Sequence, residues 1–242
     1  MDPIIKVFAK QIQTEKQKKM VGHISSSIAD AEAGKSKLHE DIYNRKFLDG
    51  LSGQKTRHLY NNICSLDNSK YLEIGTYKGS SLCAALYKNI INCTVIEDFS
   101  YEGYSQKNEL YNNLSKCNIN AGDIQIIDSD CFKLDISQLK YNNYTIYLYD
   151  AGHDFIEHYK ALTYYIDVLD DCFIFIVDDW NWLRVQDGTR KAIQDLNLDI
   201  IYSFELIYTN DEHTPALGPD WKFPSENFWN GIAIFILNKP ST

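Results

Sequence analysis

Four side chains in the second half of the chain could do chemistry together. Asp150-Ala151-Gly152-His153 follows the apolar run Tyr144–Tyr149, and Asp178-Asp179 follows the apolar run Cys172–Val177. If the two runs are adjacent strands, their three carboxylates converge at one end of a sheet. Close like charges are costly unless a cation compensates them. An oxygen-rich cluster suits a hard divalent ion such as Mg²⁺. His153 then stands beside the metal as a base, because a metal-bound hydroxyl loses its proton more readily and imidazole titrates near neutral pH. The plainer alternative is a helix cap at the Asp-Asp pair and a structural loop histidine. An Asp ending both runs favours the metal set Asp150, Asp178 and Asp179, with His153 and Asp150 catalytic.

A second stretch, Lys70–Leu86 (KYLEIGTYKGSSLCAAL), reads as a buried strand, a glycine turn and the start of a helix. Gly75 and Gly79 bracket the turn, with Thr76 and Ser80 beside them, and such a turn holds nucleotide-like ligands. Glu73 repels phosphate and suits an ammonium group. That points to S-adenosylmethionine (SAM), whose methionine end carries an amine, and away from a dinucleotide. Two more acidic strand ends fit the rest of that molecule. Glu97, with Asp98 as the fallback, can accept from the ribose hydroxyls. Asp130, preferred to Asp128, can accept from the adenine amine, with Cys131 and Phe132 bordering the ring. Asp150 would also face the cofactor. Lys55, Arg57 and His58 could meet its carboxylate or simply be surface charge on a helix. Trp180, Trp182, Arg184, Trp221, Phe223, Phe228 and Trp229 could line a pocket for a sugar or planar ring, or pack the sheet edge.

The elements that must position these groups alternate in type. Strands are expected at Asn92–Ile96, Ile124–Ile127, Tyr144–Tyr149 and Cys172–Val177, and helices at Gln106–Leu114, Phe155–Val168 and Gly188–Leu196. Strands separated by helical patterns argue for a parallel α/β sheet covered on both faces. Two late strands, Ile200–Tyr208 and Gly231–Leu237, are joined by a polar loop over Asn210–Asn227 and suggest an antiparallel hairpin at one edge. Phe47–Leu66 gives a Gly-Ser-Gly turn and an amphipathic helix with Leu59, Tyr60, Ile63 and Cys64 towards the core. Residues 1–46 are polar and helical in pattern, with Ile4, Ile5, Val7, Phe8 and Ile12 as one apolar stripe. This extension could pack on the core, cover the site as a lid or make a homo-oligomer contact. Residues 47–242 form the main domain.

The totals set bounds. A chain of 242 residues builds one large domain but not two full-sized ones. A net charge of −9 argues against nonspecific nucleic-acid binding. Six scattered cysteines without a CxxC pair read as free thiols, in keeping with a reducing, cytoplasmic setting. No run reaches the about 18 apolar residues of a membrane span, and lysines interrupt every apolar run near the N-terminus.

Taken in order, YLEIGTYKGSS, VIEDFS, IIDSDCF, YLYDAGHDFIEHYKAL and IVDDWNWLRVQDGTRKAI resemble the successive motifs of class I SAM-dependent methyltransferases. More narrowly they resemble the metal-dependent sugar and small-molecule O-methyltransferases grouped with macrocin O-methyltransferase. The resemblance spans Phe47–Lys239. It implies a Rossmann-like, seven-stranded, mostly parallel sheet with an antiparallel C-terminal hairpin. It also implies SAM held by Glu73, Gly75, Gly79, Ser80, Glu97 and Asp130, and Mg²⁺ held by Asp150, Asp178 and Asp179. By the same resemblance His153 is the general base, and a hydroxyl of a sugar, glycan or sugar-bearing metabolite is the acceptor. Many relatives read Asp-Gly-Asp-His where this chain has Asp150-Ala151-Gly152-His153, so a carboxylate proposed as base in some of them is missing at Gly152. The alternatives are a metal-independent small-molecule methyltransferase and a non-catalytic SAM-binding protein. Glu73 and the lack of GxGxxG disfavour a nicotinamide-dependent oxidoreductase.

Overall fold

Apolar residues alternate along the strands, and the alternation builds one core on each side of a single sheet. In Leu169–Asp178, Cys172, Ile174 and Ile176 point to one core, while Phe173, Phe175 and Val177 point to the other. The computed structural model describes residues 3–43, 47–101, 105–208, 227–228 and 230–240. Its strands are β1 (Ile4–Ala9), β2 (Lys70–Ile74), β3 (Asn92–Glu97), β4 (Ile124–Asp128), β5 (Tyr144–Tyr149), β6 (Leu169–Asp178), β7 (Asp199–Ile207) and β8 (Ile232–Asn238). They lie in the order β1-β7-β8-β6-β5-β2-β3-β4. From β6 to β4 every pairing is parallel, and β6–β8, β8–β7 and β7–β1 are antiparallel.

The helices are α1 (Glu15–Glu32), α2 (Glu40–Tyr43), α3 (Gln54–Ile63), α4 (Ser80–Leu86), α5 (Ser105–Lys116), α6 (Phe155–Tyr165) and α7 (Leu183–Asp195). Residues of α1, α3, α4 and α5 share one core with the sheet, and those of α6 and α7 share the other. Helix α1 starts at a capping box, Thr14 accepting from the Gln17 amide and Gln17 from the Thr14 amide. It buries Met20, Ile24 and Ala31. No described helix is long and apolar enough to cross a membrane.

The N-terminal stripe differs from expectation. Ile4, Ile5, Val7 and Phe8 belong to an eighth strand, paired in register from Ile4↔Ile207 to Ala9↔Tyr202. Their spacing fits a helical face, but the run is short and rich in β-branched and aromatic residues, which favours a pleated strand. All six residues of β1 are exposed.

Candidate functional site

Five parallel strands, β2 to β6, end on one side of the sheet, and their ends frame a cavity of about 1170 Å³. Ligands in open α/β sheets bind at this end. Gly75, Thr76 and Ser80 line it after β2, Glu97 and Asp98 after β3, and Asp130, Cys131 and Phe132 after β4. Asp150 and His153 line it after β5, and Asp178 and Asp179 after β6. Thus the residues singled out at the strand ends for cofactor, metal or catalysis meet there, apart from Glu73 and Gly79.

Those two support the glycine turn from behind. Gly79 has φ +81°, and a Cβ there would lie 2.3 Å from Leu110 Cδ1. Gly75 has φ +83°, and its Cβ would lie 2.0 Å from the Asp150 carbonyl oxygen, so the turn can press against β5 only without a side chain. Glu73 is fully buried beneath the turn. It accepts hydrogen bonds from Tyr71 Oη at 2.7 Å and Ser81 Oγ at 2.6 Å. Burial raises its carboxyl from 4.5 to about 7, partly opposed by these donors. Glu97 ties down the other side of the turn. Its Oε2 accepts from the Thr76 and Tyr77 amides at 2.9 and 2.7 Å, and its Oε1 from the Phe99 amide at 3.0 Å. Asp98 accepts from the Ser100 amide through Oδ1. Asp130 accepts from the Phe132 amide at 2.9 Å and pairs with Lys133 at 2.8 Å, which holds its carboxyl below the usual range.

The acidic cluster is strongly perturbed. Burial is the main cause that raises Asp150, and the neighbouring Asp178 and Asp179 add to it. Asp178 rises to about 8, again mainly by burial and then by Asp179. It accepts from Tyr60 Oη at 3.1 Å and from the Asp179 amide at 2.9 Å. Asp179 sits at φ +54°, in the left-handed region that Asp tolerates better than most residues. That turn brings its carboxylate to Asn230 Nδ2 at 2.8 Å and to His153 Nε2 at 3.4 Å. With Asp178 turned to Tyr60 and Asp179 to Asn230 and His153, no group of three or more His, Cys, Asp or Glu side chains among the described residues is set to hold a metal ion. The His153 ring is crossed edge-on by Trp182 at 4.9 Å, and Arg184 lies over Trp182 at 5.0 Å.

Other expectations find different places. Arg57 is fully buried, donating from Nε to Ser52 Oγ at 2.8 Å and from one terminal nitrogen to the Ile42 and Leu48 carbonyls. His58 meets Ser36 Oγ at 2.7 Å, and Lys55 pairs with Glu32. None of the three lines the cavity, because α3 turns this face to the chain that precedes it. Trp180 is buried and donates to Glu205, and Phe228 packs in the core. Trp221, Phe223 and Trp229 lie outside the described residues. Five cysteines are buried and Cys131 is half-buried, all as free thiols.

Tyr60, Asn230, Glu157 and Lys160 are site residues that sequence patterns do not single out. Tyr60 is read from its helical period as core, which it also is. Asn230 precedes a strand 51 residues after Asp179, and no local pattern joins them.

No family model and no curated protein matches the sequence. Among solved structures, the chain is similar to the O-methyltransferase TomG of Streptomyces achromogenes, involved in tomaymycin synthesis and solved with SAM. The TM-score is 0.57 and the identity 14%, over 93% of this chain and 100% of that one. It is also similar to an O-methyltransferase of Bacillus cereus solved with S-adenosylhomocysteine (SAH), with TM-score 0.53 and identity 12%, over 94% of this chain and 93% of that one. Along nearly its whole length, the chain has the fold of these O-methyltransferases.

Proposed function

We propose that the chain is a SAM-dependent O-methyltransferase acting on a hydroxyl of a sugar, glycan or sugar-bearing metabolite. The observation that carries this reading is the cavity at the ends of β2 to β6, which gathers the acids after β3 and β4, the Asp150–Asp178–Asp179 cluster and His153. The residues present fit the cofactor. The turn at Gly75 and Thr76 gives a close backbone approach, and Ser80 adds a hydroxyl. Glu97 and Asp98 are acceptors for the ribose hydroxyls. Asp130, Cys131 and Phe132 border the adenine. When bound, SAM supplies the methyl group on its sulfonium.

His153 takes the proton from the acceptor hydroxyl, and Asp179 at 3.4 Å stabilises the imidazolium that results. Trp182 excludes water from one side of the imidazole and offers a flat wall to a sugar ring. The donor chemistry also suits Mg²⁺, since three carboxylates make an all-oxygen set. No Lys or Arg pairs with Asp150 or Asp178 among the described residues. Asp150, Asp178 and Asp179 would hold the ion after turning from their present partners, and it would polarise the acceptor hydroxyl. The Asp179–His153 pair supports a second reading, in which the same transfer runs without metal.

Calorimetry with SAH, and transfer of labelled methyl from SAM to a panel of sugars and glycosylated metabolites, test this. SAH binding is expected in the wild type. His153→Ala should lower transfer by about 10²-fold or more, with SAH affinity kept. Absence of SAH binding would sink the reading. Transfer that survives EDTA but falls in Asp179→Asn would remove the metal and leave the second reading.

A further inference from the structure

Gly152 is glycine for space and not for backbone conformation. It has no positive φ, yet a Cβ there would lie 2.2 Å from Glu157 Cδ and Oε1 and 2.3 Å from Oε2. The Glu157 carboxylate, one turn into α6, therefore lies directly over Gly152, and both residues line the cavity. Helix capping explains half of this carboxylate. Its Oε2 accepts from the Asp154 amide at 3.0 Å, while Asp154 caps the helix in return. No described residue donates to Oε1. Lys160, three residues further along the same helix, reaches the end of β4. There the Phe132 ring lines the cavity, with Lys160 above it at 5.4 Å. Both oxygens of Asp130, the other acid at this wall, are held by the Phe132 amide and Lys133.

We propose that Glu157 Oε1 is the acceptor for the exocyclic amine of the cofactor's adenine, and that it sets the preference for adenine over hypoxanthine. This rests on the SAM reading above. The base lies against Phe132, its amine donates to Oε1, and the glycine at 152 leaves the room. A base with a carbonyl in place of the amine sets oxygen against the carboxylate. A hydrogen bond to a charged partner is worth more than a neutral one, and leaving it unmade costs more still.

The test is calorimetry of the full chain with SAH and with S-inosylhomocysteine, which differ only in the base. Wild-type protein should bind SAH about tenfold or more tightly than the inosine analogue. In Glu157→Gln the amide oxygen keeps the bond from the Asp154 amide and the NH₂ group turns to the cavity, so the melting temperature holds while the preference collapses or inverts. Gly152→Ala, which displaces the carboxylate while leaving it in the sequence, should weaken SAH binding by about tenfold as well. If Glu157→Gln keeps the wild-type preference, the proposal is wrong while the cofactor reading stands. Equal affinity of the wild type for the two compounds would overturn the proposal in the same way. If wild-type protein binds neither compound, both readings fall together.

Discussion

Glu73→Gln should stabilise this protein at neutral and alkaline pH, and by an amount that depends on pH. Glu73 is fully buried, and the side-chain groups that donate to it are hydroxyls. Burial raises its carboxyl from 4.5 to about 7. Between these values the unfolded chain has lost the proton and the folded chain keeps it. Folding then takes up a proton, so stability falls as pH rises through this window and levels off above about 7. At about 1.4 kcal/mol per unit, the window from pH 5 upward costs roughly 3 kcal/mol. Glutamine fits the same niche, because its oxygen accepts from one hydroxyl and its NH₂ donates to the other. Urea unfolding of both proteins at pH 5 and pH 8 isolates the effect, since all other titrating groups cancel in the difference. The advantage of the glutamine variant should be roughly 2–3 kcal/mol larger at pH 8 than at pH 5. A difference that is the same at both pH values would refute this reasoning and show that Glu73 is ionised in the folded state at pH 5.

Three further outcomes follow from the same geometry. Gly75→Ala would force a Cβ to within 2.0 Å of a backbone oxygen at φ +83°, so it should destabilise by more than about 3 kcal/mol. An unchanged melting temperature would contradict the close approach of the turn to β5. Tyr60→Phe removes the hydroxyl that donates to Asp178 and should cost about 1–2 kcal/mol in urea unfolding, with slower methyl transfer. Equal stability of the two proteins would mean that Asp178 does not lean on α3. Asp179→Asn keeps the bond from Asn230 within reach but removes the charge facing His153, and should lower transfer more than SAH affinity; an unchanged rate would show that His153 works without it.

Much of this arrangement can be read from residue patterns because each strand end carries its own signal. An apolar run followed by acid predicts both the strand and its polar tip, and β3 to β6 all follow that rule, while β2 is marked by the glycine turn that follows it. The contacts behind the tips are less legible. Glu73 looks like a ligand group because it stands beside a glycine turn, but strand alternation puts it on the face under α4, where Ser81 closes over it. Arg57 reads as surface charge near a turn, and only the folded positions of Ile42 and Leu48 show the carbonyls that meet it. Asn230 reaches Asp179 through the antiparallel pairing of β6 with β8, a contact no local window contains. The N-terminal strand is hidden because Ile4, Ile5, Val7 and Phe8 satisfy a helical and a pleated period alike.

That strand has a consequence for how the chain comes to be folded. Ile4–Ala9 leaves the ribosome long before its partner, Tyr202–Ile207, which lies far down the same chain. Synthesis runs from the N-terminus, and distant pairings close late. Until β7 emerges, IIKVFA is a β-prone hexamer interrupted by a single charge, Lys6, and it resembles the segments that seed aggregation. Lys6 is the gatekeeper of that interval. Its replacement by an apolar residue would leave the finished sheet intact and lower the yield of folded protein, most of all when synthesis outpaces chaperone capture.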